Sequence, residues 1–171
     1  MISRPWPGAR QAGHACFAPG DAVEDEILRI LRRRYDRVSI ERLICGPGLL
    51  NMHRALAEID GRESHIDDPA EITRAALEDH GSACGATLAR FCAILGAAAG
   101  DIALTMGARG GIYIAGGIAP RILPFLKDSP FRQRFERTGR FKDYMADIPT
   151  WVITHKHAAL LGAARVAFAE E

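Results

Sequence analysis

Two glycine pairs, Gly110-Gly111 and Gly116-Gly117, stand on either side of one short apolar run, residues 112–115, in the stretch GGIYIAGGIAPR. A glycine pair ahead of a strand lets the chain turn tightly, and a pair behind it removes side chains where a ligand or another backbone approaches. Ligands gather at the carboxyl end of such a strand, which is where Gly116 and Gly117 fall. The pattern is neither G-x-G-x-x-G nor a P-loop, so glycines that only ease packing account for it as well. Two further residues have side chains suited to chemistry. His14, two residues from Cys16, reads in isolation as a structural histidine or as a weak metal ligand with that thiol. Glu41 reads in isolation as a solvent-facing strand residue.

Alternating helices and strands are expected to position these residues. Asp21 is the N-cap of a helix running to about Arg37, with acidic Glu24, Asp25 and Glu26 in its first turns and arginines near its end, an order that suits the helix dipole. The segment RVSIERLICGPGLL reads as a short strand stopped by Gly-Pro-Gly, and LLNMHRALAEIDG as a helix closed by Gly61. In DPAEITRAALEDHG, Asp68 caps a helix, Pro69 takes its first position and Gly81 ends it. Apolar residues at three- and four-residue steps between Ser82 and Met106 predict a long core helix. Residues 112–115 and 150–154 read as buried strands, and HAALLGAARVAFAEE as a last helix. The order predicts an α/β sheet with helical cover in a single domain, residues 1–171.

Composition narrows the function. Of 171 residues, 22 are basic and 21 acidic, so the charge gives no reason to expect nucleic acid or an anionic membrane as a partner. The basic run RILRRRYDR is interleaved with apolar residues and reads as a solvated helix face. Cys16, Cys45, Cys84 and Cys92 form no C-x-x-C, which fits free, mostly buried thiols in a reducing cytoplasm and argues against zinc or any metal site. The amino terminus has no apolar h-region, and the most hydrophobic window, FCAILGAAAG, is too short to span a bilayer. A soluble, cytoplasmic protein is expected.

Several segments, in order and spacing, carry a resemblance. GHACFAP, VSIERLICGPGLLNMHRA, the long helix, GGIYIAGGIAPR and GRFKDYMADIPTWVITHKHAALLGAA together resemble the carboxyl-terminal large-domain portion of the bacterial ATP-dependent glucokinase family, over nearly the whole chain from Ala12 onward. The resemblance implies an actin-like, ribonuclease H-like (hexokinase-type) α/β fold whose two domains close on a cleft holding sugar and nucleotide. It implies ATP and Mg²⁺ as cofactors, glucose as substrate, and a homodimer or pairing with a missing amino-terminal segment. It places Gly110, Gly111, Gly116 and Gly117 on the nucleotide side. His14, Glu41 and Gln11 fall on the sugar side; the family has Glu at the position of Gln11 and usually an acidic residue at that of Cys16. A carboxylate and an imidazole supply paired donors and acceptors to adjacent sugar hydroxyls. Replacing the charged acceptor by Gln11 is expected to weaken sugar binding about tenfold.

The family's phosphate loops, and the Asn-Asp pair whose aspartate is the catalytic base, lie upstream of the sugar motif, and residues 1–10 resemble none of them. No catalytic residue is therefore expected in this chain. Phosphoryl transfer depends on positioning and neutralising the phosphates, and a missing general base alone costs about 10²–10⁴ in rate. The chain is expected to be truncated at its amino-terminal strands and weak or inactive alone. The alternatives are a non-catalytic sugar- or nucleotide-binding fragment that needs an amino-terminal part, or a product without function.

Overall fold

The computed structural model describes residues 12–168. Helix α1 spans Ala22–Leu31, α2 Gly46–Ile59, α3 Pro69–Glu78, α4 Ala83–Met106, α5 Leu123–Lys127, α6 Phe131–Phe135, α7 Lys142–Ala146 and α8 Ala158–Phe168. Strands β1 (Ile112–Ile114) and β2 (Thr150–Val152) pair in parallel, with Tyr113 opposite Trp151. The protein is thus α/β, rich in helix, with a small parallel sheet.

Helix α4 is the centre of the core. Ser82 caps it, its hydroxyl accepting from the Gly85 amide at 3.0 Å. By length and composition α4 could cross a membrane, which the short apolar window in the sequence did not suggest. Its apolar surface is instead covered by protein: it packs against α2, α3 and α6, and Leu88, Phe91, Cys92 and Ile94 are buried. Helix α6 lies directly on the α4 backbone. A Cβ added at Gly96 would meet the Phe131 carbonyl oxygen at 2.1 Å, and one at Gly100 the Phe135 oxygen at 2.6 Å, so glycines one turn apart set the distance between the helices.

The expected caps hold. Asp21 accepts from the Glu24 amide at 3.0 Å and Asp68 from Ala70 at 2.9 Å. Other expectations need correction. Helix α1 stops at Leu31, short of Arg37, because the Arg33 and Arg34 amides turn to carbonyls three residues back and the chain reverses to bury Val38 beside Phe17. Residues 38–44 form no strand; Ser39 makes a single bridge to Cys16 and a 3-10 turn follows at Ile40–Arg42. Ile40, Leu43 and Ile44 are spaced i, i+3, i+4, a helical period that overrides the β-branched composition.

Gly-Pro-Gly starts α2 where a stop was expected. Cys45 is the cap, Pro47 sits in the first turn where its missing N–H has no intrahelical partner, and Gly48 lets the helix begin against Leu43, whose backbone a Cβ would approach to 2.5 Å. Asp79, extended, ends α3 ahead of Gly81, its carboxylate accepting from the Gly81 amide at 2.8 Å. The strands are half-buried, contrary to the expectation of two buried ones. Ile112, Ile114 and Val152 face the core while Tyr113 and Trp151 stack on the open face, ring centroids 4.7 Å apart. Among the thiols, Cys84 and Cys92 are buried, Cys45 is half-buried and Cys16 exposed; burial pushes the Cys92 thiol up to about 11, against a lowering hydrogen bond with Ser129.

Candidate functional site

Two clefts collect His14 and Glu41, and Gly116 and Gly117, from among the residues singled out by sequence. In the first, the 3-10 turn Ala12–His14 carries His14 and the 3-10 turn Ile40–Arg42 carries Glu41. The turns are laced by backbone: the Phe17 amide donates to the Val38 carbonyl and the Ile40 amide to the Ala15 carbonyl, each at 3.0 Å. His14 Nε2 then lies 3.2 Å from Glu41 Oε2, with the two side chains 60% and 53% exposed. A pair that open to water adds little to stability. Its polar atoms remain free to meet a ligand, and the carboxylate accepts while the imidazole donates from one nitrogen and accepts at the other when neutral. Glu41 therefore sits on a helical turn, where the sequence suggested a strand.

The cleft around this pair has a volume of about 620 Å³ and is lined also by Tyr35, Arg37 and Asn51. The Tyr35 hydroxyl donates to Asn51 Oδ1 at 3.2 Å, and Asn51 Nδ2 donates to the Arg42 carbonyl at 3.0 Å. The Arg42 guanidinium stacks 4.3 Å from the Tyr35 ring centroid. These contacts fix the floor beneath Glu41 and had no signature in the sequence, because they join α2 to loops through side chains common on any surface. Gln11 lies outside the described residues. Among the described residues no cluster of three or more His, Cys, Asp or Glu could hold a metal ion, so the alternative of a metal site at His14 and Cys16 gains nothing.

The second cleft opens at the carboxyl ends of β1 and β2, which coincide because the strands are parallel. It has a volume of about 700 Å³, and Gly116, Gly117, Arg121, Thr154 and Lys156 line it. Gly116 has φ +122° and an added Cβ at Gly116 or Gly117 would meet nothing within 4 Å, so their missing side chains leave open space. The other pair behaves differently. Gly111 has φ +116° and a Cβ there would strike the Trp151 ring at 2.0 Å; neither it nor Gly110 lines the cleft. Gly111 thus turns and packs the chain, and the second pair leaves room. Among the described residues no carboxylate lines this cleft, while Arg121 and Lys156 give it positive charge, a feature the sequence reading missed because the two cations are 35 residues apart.

The chain is a helix-rich α/β protein with two clefts, and the comparisons specify its family. The glucokinase family model matches residues 3–170. The chain is 50% identical over 158 residues to a glucokinase of Hahella chejuensis, and 53% identical over 160 residues to one of Caulobacter vibrioides. It also superimposes on a crystal structure of glucokinase from an Antarctic psychrotroph with a TM-score of 0.84 at 36% identity, covering 91% of this chain and 48% of that one. The chain belongs to the glucokinase family. The alignments cover 92% of this chain but only 49% and 48% of the two bacterial relatives, so the chain spans about half the length of the curated proteins it matches.

Proposed function

We propose that this chain contributes the sugar-facing and nucleotide-facing clefts of a glucokinase, an enzyme passing the γ-phosphate of ATP to the 6-hydroxyl of glucose, with the actin-like, hexokinase-type architecture of the large domain. The observation that carries the reading is the His14–Glu41 pair, 3.2 Å apart in an open cleft, at positions that the resemblance to the family implies for sugar. Glu41 accepts hydrogen bonds from two adjacent hydroxyls, and His14 donates or accepts one beside it. Gly116 and Gly117 leave room for the nucleotide, and Arg121 and Lys156 favour its phosphates. ATP supplies the phosphoryl group. Mg²⁺ would ride on the nucleotide phosphates, since no cluster among the described residues offers it a protein cage.

The base and the phosphate loops belong, on this reading, to an amino-terminal segment outside this chain, and the chain alone is weak or inactive. A cytoplasmic location accords with its free thiols. The second reading, a non-catalytic binding fragment that needs an amino-terminal segment or a second copy, is favoured by α8, where Leu160, Leu161 and Val166 are 70%, 57% and 61% exposed. Calorimetric titration with glucose tests the sugar cleft common to both readings. Saturable heat supports it, and none up to high millimolar glucose, from folded protein, overturns it.

A further inference from the structure

Besides its backbone lacing and the His14–Glu41 contact, the turn that carries His14 is held through its backbone by a side chain. Arg37 Nη2 donates to the His14 carbonyl oxygen at 3.0 Å, and Arg37 lines the same cleft as His14 and Glu41. Arg37 comes just before the segment carrying Glu41, so the bond ties the two halves of the pair together: the residue preceding Val38 grips the backbone of the imidazole's own residue. The lacing at Phe17–Val38 and Ala15–Ile40 lies on the carboxyl side of His14. Among the described residues, the turn is closed on its amino-terminal side by the Ala15 amide on the Ala12 carbonyl, at 3.0 Å. Arg37 is thus the side chain that reaches past the laced segment to fix His14 itself.

We propose that Arg37 is a positioning residue for the sugar site, acting through His14 and touching no reacting atom. The proposal rests on the sugar-cleft reading for its ligand, though not for its geometry. An arginine is suited to the task because its fork holds one orientation at a carbonyl while its charge survives at every physiological pH. Loss of a single hydrogen bond of this kind corresponds to a roughly fivefold weaker affinity where the bond orders a binding group.

The test uses the full chain with Arg37→Ala, Arg37→Lys, His14→Ala and the Arg37→Ala/His14→Ala double variant, each checked for folding by circular dichroism. Glucose affinity is read by calorimetry, and the proximity of the His14 ring to the Glu41 side chain by nuclear Overhauser effect. The expected result is a roughly fivefold weaker affinity in Arg37→Ala, substantial recovery in Arg37→Lys, and no further loss when Arg37→Ala is added to His14→Ala. Unchanged affinity in Arg37→Ala, or equal losses in the presence and absence of His14, overturns the proposal. If the wild-type chain binds no glucose, the sugar-cleft reading fails by itself and the Overhauser contact decides: its loss in Arg37→Ala with return in Arg37→Lys supports positioning, and its persistence in Arg37→Ala overturns it.

Discussion

Glu24, fully buried in the first turn of α1, is gripped by Arg134 of α6 through two parallel hydrogen bonds, Nη1 to Oε1 at 2.8 Å and Nη2 to Oε2 at 2.9 Å. Arg90 of α4 adds a third at 2.9 Å to Oε1 and also pairs with Asp21, while the Gly20 amide donates to Oε2 at 2.6 Å. The cluster joins α1, α4 and α6 through charge-assisted hydrogen bonds. Removing one member strands an uncompensated buried charge, whereas an apolar exchange of all members need not destabilise.

Arg134→Met should therefore lower stability by about 3–5 kcal/mol, measured by urea unfolding. A loss below about 1 kcal/mol would show that water reaches Glu24 and that the cluster is not buried in solution.

Asp21 gives the cluster a pH dependence. Burial, the largest single influence, pushes its carboxyl up, but the Glu24 amide, the hydrogen-bonded Arg90 guanidinium and the charges of Arg90 and Arg134 together hold it below its ordinary value. Since the folded pKa is lower than the unfolded one, the stabilisation is present above about pH 4 and is lost as pH falls through the folded value. Asp21→Asn, which keeps an N-cap, should flatten the fall of the urea midpoint as pH drops below about 4. An unaltered acid slope in the variant would remove Asp21 from the account.

The glycines divide by the space around them. Gly96→Ala forces a methyl against the Phe131 carbonyl and should cost about 1–3 kcal/mol, with α6 displaced from α4. Gly117→Ala meets nothing within 4 Å and should leave stability within about 0.5 kcal/mol while weakening ATP binding, because the methyl enters the second cleft. Thermal unfolding and nucleotide titration of both variants separate the two roles, and a Gly117→Ala chain that binds ATP as the wild type does would take Gly117 out of the site.

What the sequence disclosed followed from local signals. Asp21, Asp68 and Pro69 mark helix starts because a cap is a contact between residues two or three apart. The long apolar period of α4 and the β-branched runs at 112–115 and 150–154 were legible for the same reason. Gly-Pro-Gly misled because glycine and proline punctuate either end of a helix; only the cap at Cys45 and the close approach of Gly48 to Leu43 decide that here they open one. Glu24 read as an acid placed for the helix dipole, and its partner lies 110 residues away, beyond any local rule. At the site, His14 and Glu41 were legible by family resemblance, but their contact, the grip of Arg37 and the cations Arg121 and Lys156 emerge only from the folded chain.

The central claim is that His14 and Glu41 form a working sugar site, and calorimetric titration of glucose into the wild-type and Glu41→Ala chains tests it most directly. Loss of a charged hydrogen-bond acceptor for two hydroxyls should weaken binding at least tenfold, to no detectable heat if wild-type affinity is already millimolar. Glucose binding of equal affinity in the two folded chains would contradict the account, because the sugar would then rest on residues other than this pair.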